Sequence, residues 1–185
     1  MAKKTIMTGR TTVLRAVEPE DLGVMYDIEN DSDLWKHGRS NVPYSHYALR
    51  CFIEENRCDI YVDGQVRLAV TVCGKGQTIG FVDLQNFSPE HMRAEVGIAI
   101  VDSAQGCGYA TDALETLVAY VRDVLRLHLL YAIVADDNTR AVNLFLRCGF
   151  ARTASLSQWL RRSEGFADAS LFTLVVNGDN GGTDR

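Results

Sequence analysis

The chain lacks the long apolar stretches that mark membrane proteins. No uninterrupted apolar run approaches the roughly 18 residues of a membrane-spanning helix, and residues 1–6 lack the apolar core of a signal peptide. The five cysteines are scattered and include no C-x-x-C pair, a pattern typical of reduced thiols. The four histidines form no metal-ligand spacing with one another or with the cysteines. These absences predict a cytoplasmic protein with no membrane association and no metal site.

Positive charge is also scarce. The chain has 19 lysines and arginines against 24 aspartates and glutamates, a formal net charge of -5. This balance argues against nucleic acid as a partner and suits a cationic small molecule better. The length of 185 residues fits one domain, and no internal repeat or linker divides it. We predict a domain over residues 1–176 and a disordered tail over residues 177–185, which have no apolar side chain to bury.

The most informative part of the sequence is a strand, a glycine turn and a helix. Alternation over residues 93–101 predicts the strand, and the helix after it has apolar positions at helical spacing. These positions are Ala110, Ala113, Leu114, Leu117, Val118, Val121 and Leu125. Gly106 and Gly108 let the backbone approach a ligand, and the N–H groups and dipole of the first helical turn favour a phosphate there.

Other glycine-rich turns fit this segment less well. A Walker loop requires a lysine followed by serine or threonine after its last glycine, and the chain has none at that spacing. A dinucleotide-binding fingerprint requires a third glycine where Thr111 stands, and an acidic residue about 20 positions on, where Arg126 stands. A tight strand-to-helix turn without a ligand is the remaining alternative.

Periodicity along the rest of the chain predicts a mixed α/β fold. Strands are predicted at residues 11–17, 66–72, 78–86, 93–101, 128–135, 150–159 and 168–176, and helices from Pro19, over residues 45–56, after Gly108 and after Asn138. A period-two pattern is predicted from Asp59 onward, and a polar link over residues 160–167. This order predicts a mixed sheet with helices on both faces.

Glu95 is the candidate catalytic residue. On its predicted strand it shares a face with Gly97 and Ala99, whose small size leaves room for a ligand. Alkyl amines have a pKa near 10.4, so an amine acceptor must lose a proton in order to react. A carboxylate at this position would take that proton, directly or through a water. The alternative is a structural carboxylate paired with Arg93 or another surface cation.

Two further segments suggest an amine partner. Residues 18–33 contain seven acidic side chains, which would either attract an amine or form a solvated helix face. Residues 35–47 contain several aromatic side chains and His37, and would form either a wall of an acceptor pocket or a lid on the core.

Two motifs resemble those of the GNAT acyltransferase superfamily. The run Gln105-Gly106-Cys107-Gly108-Tyr109-Ala110 resembles its Q/R-x-x-G-x-G/A loop, and residues 138–150 are similar to its N-x-x-A-x-x-x-(Y/F)-x-x-x-G-F segment. The resemblance covers about residues 11–176. Residues 14–22 and 163–168 are similar to the branch that contains spermidine and ribosomal-protein N-terminal acetyltransferases. The resemblance to the superfamily implies an α/β fold with a mixed, largely antiparallel central sheet and helices on both faces.

The resemblance implies an N-acetyltransferase that uses acetyl-CoA as co-substrate and needs no metal. The acceptor would be a primary amine of a polyamine, a peptide N-terminus or a small molecule. The pantetheine arm is assigned to backbone groups of Ile98 and Ile100, and other parts of the cofactor to Asn138, with Asn143. The pyrophosphate is assigned to Gln105, Gly106, Cys107, Gly108, Tyr109 and Ala110. From the residues alone, Asn138 is equally well a helix N-cap.

Phe145 departs from the family pattern. Many members carry a tyrosine at this position, and phenylalanine has no proton to give. Either Tyr109, Tyr131 or Cys148 serves as the general acid, or the thiolate leaves unassisted. A lost general acid costs about 10²–10⁴ in rate, so we expect slow turnover. The alternative function is a non-catalytic acyl-CoA-binding or sensing module, and a homo-oligomer is compatible with either function.

Overall fold

The strands of the protein form one mixed sheet. The computed structural model describes residues 7–35 and 42–176, with residues 33 and 34 described by their backbone alone. Within these ranges the strands are β1 (Thr12–Ala16), β2 (Val66–Val72), β3 (Thr78–Ser88), β4 (Arg93–Ile100), β5 (Leu129–Ala135), β6 (Ala151–Arg161) and β7 (Phe166–Val175). Their order is β1-β2-β3-β4-β5-β7-β6, and every neighbouring pair is antiparallel except β4 and β5. The predicted mixed, largely antiparallel sheet is confirmed.

Helices cover both faces of the sheet. The described residues form α1 (Leu22–Glu29), α2 (Ser32–Trp35), α3 (His46–Glu55), α4 (Ile60–Asp63), α5 (Tyr109–Tyr120) and α6 (Thr139–Arg147). One core cluster contains residues of α5 and α6, and another contains residues of α1 and α3. On β3, Phe81 belongs to the second cluster and its neighbour Val82 to the first. Because successive strand residues point to opposite faces, the two clusters lie on opposite sides of the sheet.

The helix α5 follows the predicted pattern closely. It begins after Gly108, whose φ of 80° lies in the left-handed region that favours glycine. The predicted apolar stripe faces the core, and Ala113, Leu114 and Leu117 are completely buried. After Tyr120 the helix continues as one π-helical turn (Val121–Leu125).

Two sequence predictions were wrong in part. Residues 60–63, expected in a period-two segment, form the helix α4, which the Asp59 side chain caps by accepting a hydrogen bond of 2.9 Å from the Tyr61 amide. A helix of four residues is too short to display its period in the sequence. The polar link predicted over residues 160–167 is shorter, because β6 continues to Arg161 and β7 begins at Phe166. The predictions for His37 and for the tail at residues 177–185 lie outside the described residues.

Two properties of the described residues bear on function. None of their helices is both long and apolar enough to span a membrane. Their histidine, cysteine, aspartate and glutamate side chains form no group of three or more that would hold a metal ion.

Candidate functional site

The strands β4 and β5 lie side by side only at their first residues. Ladder pairs join Arg93 to Leu129, Ala94 to Leu130 and Glu95 to Tyr131, and no further pair joins the two strands in the described part of the chain. Both strands nevertheless continue, β4 to Ile100 and β5 to Ala135. They therefore diverge beyond Glu95 and Tyr131 and leave a gap in the sheet, which we call the wedge.

The backbone of β4 presents polar groups to the wedge. The Val101 N–H donates a hydrogen bond of 2.9 Å to the Ile79 carbonyl, so the backbone of Val101 faces β3. Backbone groups alternate in direction along a strand, so the N–H and C=O groups of Ile98 and Ile100 face the wedge. The arrangement suits a ligand that carries amide groups, as a pantetheine arm does.

The glycine loop lies at the end of β4 and has room for a ligand. Gly106 and Gly108 have φ values of 75° and 80°, and a Cβ added at either position would have no atom within 4 Å. The first N–H groups of α5 have no partner within the helix, and its dipole adds partial positive charge. Glycine is needed here for its backbone conformation, and the space beside it fits a phosphate group at a helix N-terminus.

Gln105 fastens this loop to its surroundings. Its Nε2 donates hydrogen bonds to the Ile100 carbonyl at 2.9 Å and to Asp102 Oδ1 at 2.8 Å. Its Oε1 accepts a hydrogen bond of 2.6 Å from Arg140 Nη1. Arg140 lies on α6, so the start of that helix adjoins the loop and brings a cation to it.

Asn138 is the N-cap of α6. Its Oδ1 accepts a hydrogen bond of 3.1 Å from the Ala141 amide, and this bond does not use its side-chain nitrogen. Asn143 is exposed and lies three residues after Arg140, which places the two on the same helix face. Both asparagines therefore lie on the helix that adjoins the glycine loop.

Glu95 lies at the apex of the wedge and is nearly buried. It is 9% exposed, and its Oε2 accepts a hydrogen bond of 2.9 Å from the Asn86 side-chain amide. Asn86 reaches it from a bulge in β3, where its φ is 49°. Asparagine tolerates this left-handed conformation better than most residues. The carboxylate is therefore held by a neutral amide inside the protein, an arrangement unlike a surface ion pair.

The three candidate acids have different surroundings. Tyr131 is the ladder partner of Glu95, and burial together with the Glu95 charge raises the pKa of its phenol. Burial raises the pKa of the Cys148 thiol to about 11, and this thiol contacts the Thr111 carbonyl on α5. Tyr109 lies in the first turn of α5, at the glycine loop. Only Tyr131 shares a strand register with Glu95.

Phe145 belongs to the core. It is 3% exposed, and its ring packs edge-on against Phe150 and face-on against Phe172, with centroid distances of 5.0 and 6.3 Å. The position where many family members have a tyrosine is therefore a packing position in this protein.

A cavity of about 290 Å³ lies on the sheet face that α1 and α3 cover. Its polar lining includes Glu29, Tyr44, Arg67, Asp83 and Gln85, and Phe52 forms part of its apolar wall. Of the lining residues, two are carboxylates and one is a guanidinium, so the lining has a net charge of -1. This charge favours a cationic ligand.

Arg67 organises the charges of this cavity. Its Nε and Nη2 donate hydrogen bonds to the two Asp83 oxygens at 2.7 and 3.0 Å, and its Nη1 donates to Glu29. Its guanidinium also lies 5.6 Å from the ring centroid of Phe52. Burial alone would lower the pKa of Arg67, but the carboxylates of Asp83 and Glu29 outweigh it and the pKa is raised. Arg67 is therefore permanently charged and fixed in place.

The cavity and the wedge are joined by strand register. Asp83 pairs with Gly97, and Gln85 pairs with Glu95, so these residues share one face of the sheet. A Cβ added to Gly97 would lie 3.7 Å from the Asp83 side chain. Because Gly97 has no side chain, it places no bulk between the cavity and the wedge. A ligand in the cavity therefore lies on the same face as Glu95, one strand away.

Some acidic residues in and just before α1 have structural roles. Asp21 accepts hydrogen bonds of 2.7 and 2.8 Å from the Arg15 guanidinium and one of 2.6 Å from the Thr78 hydroxyl. Glu29 pairs with Arg67. Neither the attractive field nor the solvated face describes this segment completely. Asp21 is buried, and of the acidic side chains that the structure describes in residues 18–33, Glu29 alone lines the cavity.

Several residues of the site were not identified from the sequence, and Asn86, Arg67, Asp83 and Arg140 make its main polar contacts. Arg67 and Asp83 are the charged residues of two largely buried strands, which is a usable signal for a buried ion pair. Asn86 and Arg140 carry no such signal, because their contacts depend on a strand bulge and on helix packing.

Comparisons with known proteins agree with this geometry. The profile of the acetyltransferase (GNAT) domain matches residues 11–151. Spermidine N(1)-acetyltransferase of Escherichia coli (strain K12) is 30% identical over 139 residues, which cover 75% of this chain and 72% of that protein. Ribosomal-protein-serine acetyltransferase of the same strain is 21% identical over 177 residues, which cover 94% and 98%.

The fold is also similar to that of a solved structure with ligands. Spermidine N-acetyltransferase from Vibrio cholerae, crystallised in complex with CoA and spermine, has a TM-score of 0.81 at 25% identity, over 89% of this chain and 95% of that chain. The suspected family and its branch are thereby confirmed. The chain belongs to the GNAT acetyltransferase family and is an acetyl-CoA-dependent N-acetyltransferase.

Proposed function

We propose that this enzyme acetylates a primary amine of a small cationic molecule, with polyamines as the leading class, and that Glu95 is its general base. The observation that carries the proposal is the position of Glu95. It lies at the apex of the wedge and also on the sheet face of the acidic cavity. A donor in the wedge and an acceptor in the cavity would therefore meet at this carboxylate.

The dimensions of the wedge support the donor site. Ile100 follows Glu95 by five positions, or roughly 16–17 Å at the strand rise of about 3.3 Å per residue. This is comparable with the length of an extended pantetheine arm. We assign the pyrophosphate to the loop Gln105, Gly106, Cys107, Gly108, Tyr109 and Ala110, the pantetheine arm to Ile98 and Ile100, and other parts of the cofactor to Asn138 and Asn143. A donor bound in this way would present its thioester near Glu95.

The charge of the cavity supports a cationic acceptor. The two negative charges of Glu29 and Asp83 exceed the single positive charge of Arg67. Glu95 adds a further carboxylate on the same face of the sheet. The relatives named spermidine N(1)-acetyltransferase support polyamines as the first class to test. The partly buried Arg67 between the two carboxylates would limit how many positive charges the cavity accepts.

Glu95 has the chemistry that the reaction needs. An attacking amine must lose a proton, and a carboxylate beside the reacting centre would accept it directly or through a water. The hydrogen bond from Asn86 fixes one carboxylate oxygen and the orientation of the group. The small residues Gly97 and Ala99 on the same face leave space for the amine.

The test is acetyl transfer followed by mass spectrometry. The enzyme is incubated with acetyl-CoA and a panel of polyamines, N-terminal peptides, amino acids and aminoglycosides, and a reaction without enzyme is the control for spontaneous acetylation. We expect one added acetyl group on polyamines. A product confined to peptides or amino acids would overturn the acceptor class. Mass detection is preferable to a thiol-reactive dye, because the five cysteines of the chain would contribute to the dye signal.

A cytoplasmic location, a homo-oligomeric state and the absence of nucleic-acid or membrane partners stay predictions from the sequence. The panel also tests the other two acceptor classes, a peptide N-terminus and a small-molecule amine.

A further inference from the structure

Tyr131 occupies the position beside Glu95 at the apex of the wedge. We propose that Tyr131 is the general acid of the reaction, and that it passes to the departing sulfur the proton that Glu95 takes from the amine. This inference rests on the proposed role of Glu95. It assigns to a β5 residue the proton donation that Phe145 is unable to provide.

The placement of Tyr131 follows from the sheet. Glu95 and Tyr131 are the last ladder pair before β4 and β5 diverge, and paired residues of neighbouring strands project from the same face. Tyr131 therefore stands at the apex of the wedge beside Glu95. A thioester held between the diverging strands would reach both side chains at this apex.

Asn86, Glu95 and Tyr131 lie together at the apex. The Asn86 amide donates to Glu95 at 2.9 Å, and both Asn86 and Glu95 are close enough to the Tyr131 phenol to act on its pKa. The ladder partner of Tyr131 on β7 is Thr173, which is uncharged. The charged groups that act on the phenol are Glu95 and Arg93, both on β4.

The other candidates lie elsewhere. Phe145 and Cys148 pack against the core on the α5 and α6 side, whereas Glu95 shares the opposite face with Gln85 and Asp83. Tyr109 is at the glycine loop, which is the wrong end of the wedge for the sulfur. Tyr131 is thus the candidate acid that lies within reach of the proposed base.

Acidities explain why the two groups must act together. A phenol has a pKa near 10 and a thiol near 8.5, so Tyr131 alone would not hold the negative charge after giving its proton to a thiolate. A protonated carboxyl has a pKa near 4.3 and would restore that proton readily. Burial beside Glu95 keeps the phenol protonated before the reaction, which is the state that an acid requires.

The proposed step is balanced. A protonated acceptor first loses one proton through Glu95 to solvent, so that the neutral amine is the attacking species. The bond from the amine nitrogen to the acetyl carbon then forms, and the carbon–sulfur bond breaks. Glu95 accepts one proton from the nitrogen, Tyr131 gives its hydroxyl proton to the sulfur, and Glu95 then returns the accepted proton to Tyr131. The products are the N-acetylated amine and the CoA thiol, and both side chains end in their starting states.

The first test is Tyr131→Phe, with Tyr120→Phe as the matched control. Tyr120 is also partly buried and its pKa is also raised by burial, but it lies on α5, away from Glu95. We expect the single-turnover rate of acetyl transfer to fall about 100-fold or more in Tyr131→Phe. Acetyl-CoA affinity should be unchanged, because the ring is kept. The control should transfer at the wild-type rate.

The second measurement is the solvent deuterium dependence of the single-turnover rate. Two protons move in the relay, so the wild-type rate should depend on the deuterium fraction along a curve, and the rate of Tyr131→Phe along a straight line. A tyrosine that only positions Glu95 would leave the number of moving protons unchanged. A linear wild-type dependence, or a Tyr131→Phe rate within about twofold of wild type, would overturn the relay.

The test is independent of the acceptor class. It uses whichever acceptor gains an acetyl group in the mass-spectrometric panel, so an error about polyamines leaves it intact. If Glu95→Gln transfers at the wild-type rate, the proposed base is wrong. If only Tyr131→Phe does so, the base stands and the relay is wrong.

Discussion

The Asp112 carboxylate on α5 accepts a hydrogen bond of 2.7 Å from the Thr12 hydroxyl at the start of β1, one hundred residues earlier in the chain. The same carboxylate accepts backbone N–H bonds of 2.9 to 3.0 Å from Arg10, Thr11 and Thr12. A Cβ at Gly9 would come within 2.4 Å of its Oδ2, so only glycine fits there. These contacts fasten β1 to the helix whose first turn adjoins the glycine loop.

Asp112→Asn should therefore destabilise the protein. Several hydrogen bonds to a charged acceptor would be lost or weakened, each worth about 1.5–3 kcal/mol, so we expect roughly 3 kcal/mol or more. Urea unfolding measures this loss. The control is Glu115→Gln, which breaks an exposed ion pair with Arg10 and should cost less than about 1 kcal/mol. Equal losses in the two variants would contradict the anchoring role of Asp112.

The pH dependence of this loss has a defined sign. Burial alone would raise the pKa of Asp112, but hydrogen bonds from Thr11, Thr12 and Arg10 outweigh it and hold the pKa well below its ordinary value. The stability that the carboxylate contributes is present above its unfolded pKa of about 3.9 and is lost as the pH falls through the folded pKa. The difference between wild type and Asp112→Asn should be constant above about pH 5 and shrink below about pH 4.

Elements with a simple period were predictable from the sequence. The apolar stripe of α5 and the alternation of β4 depend only on residues close together in the sequence. The strand, loop and helix around Gly108 could therefore be located without knowledge of their tertiary contacts. The turn before α5 was predictable because glycine readily adopts left-handed backbone conformations, and Gly108 has a φ of 80°.

Contacts between distant residues were not predictable. Arg67 meets Asp83 through the register of two strands and Glu29 through the docking of α1, 38 residues away. Asn86 reaches Glu95 because β3 bulges at that point. Register and helix docking are decided by packing over the whole sheet, and a local pattern carries no information about them.

Gly108→Glu should abolish CoA binding. The substitution places bulk and negative charge where the pyrophosphate is proposed to lie, at the start of α5. Isothermal titration with CoA measures the effect. Gly74→Glu is the matched control, because Gly74 also has a left-handed φ, 75°, and open space beside it, but lies in the turn between β2 and β3. Unchanged CoA affinity in Gly108→Glu would mean that the loop is misassigned.

Glu95→Gln should slow transfer without affecting CoA binding. The amide keeps the shape of the side chain but is unable to accept a proton, so the rate would depend on the fraction of amine that is already neutral. That fraction falls about tenfold for each pH unit below a pKa near 10.4, so the defect should deepen as the pH is lowered. The measurement is kcat between pH 6 and 9, with the CoA dissociation constant as the control for folding. Matching pH profiles of variant and wild type would remove Glu95 as the base.

Phe145→Tyr should lower stability and leave kcat unimproved. The ring is 3% exposed and is held between Phe150 and Phe172, so an added hydroxyl would be buried without a partner at a cost of about 1–3 kcal/mol. The control is Phe166→Tyr, because Phe166 is 64% exposed and its added hydroxyl would be in water. Urea unfolding and steady-state kinetics of both variants distinguish the two positions. If Phe145→Tyr instead kept its stability and turned over faster, the edge of this ring would open into the wedge, and a hydroxyl there would supply the proton that we assign to Tyr131.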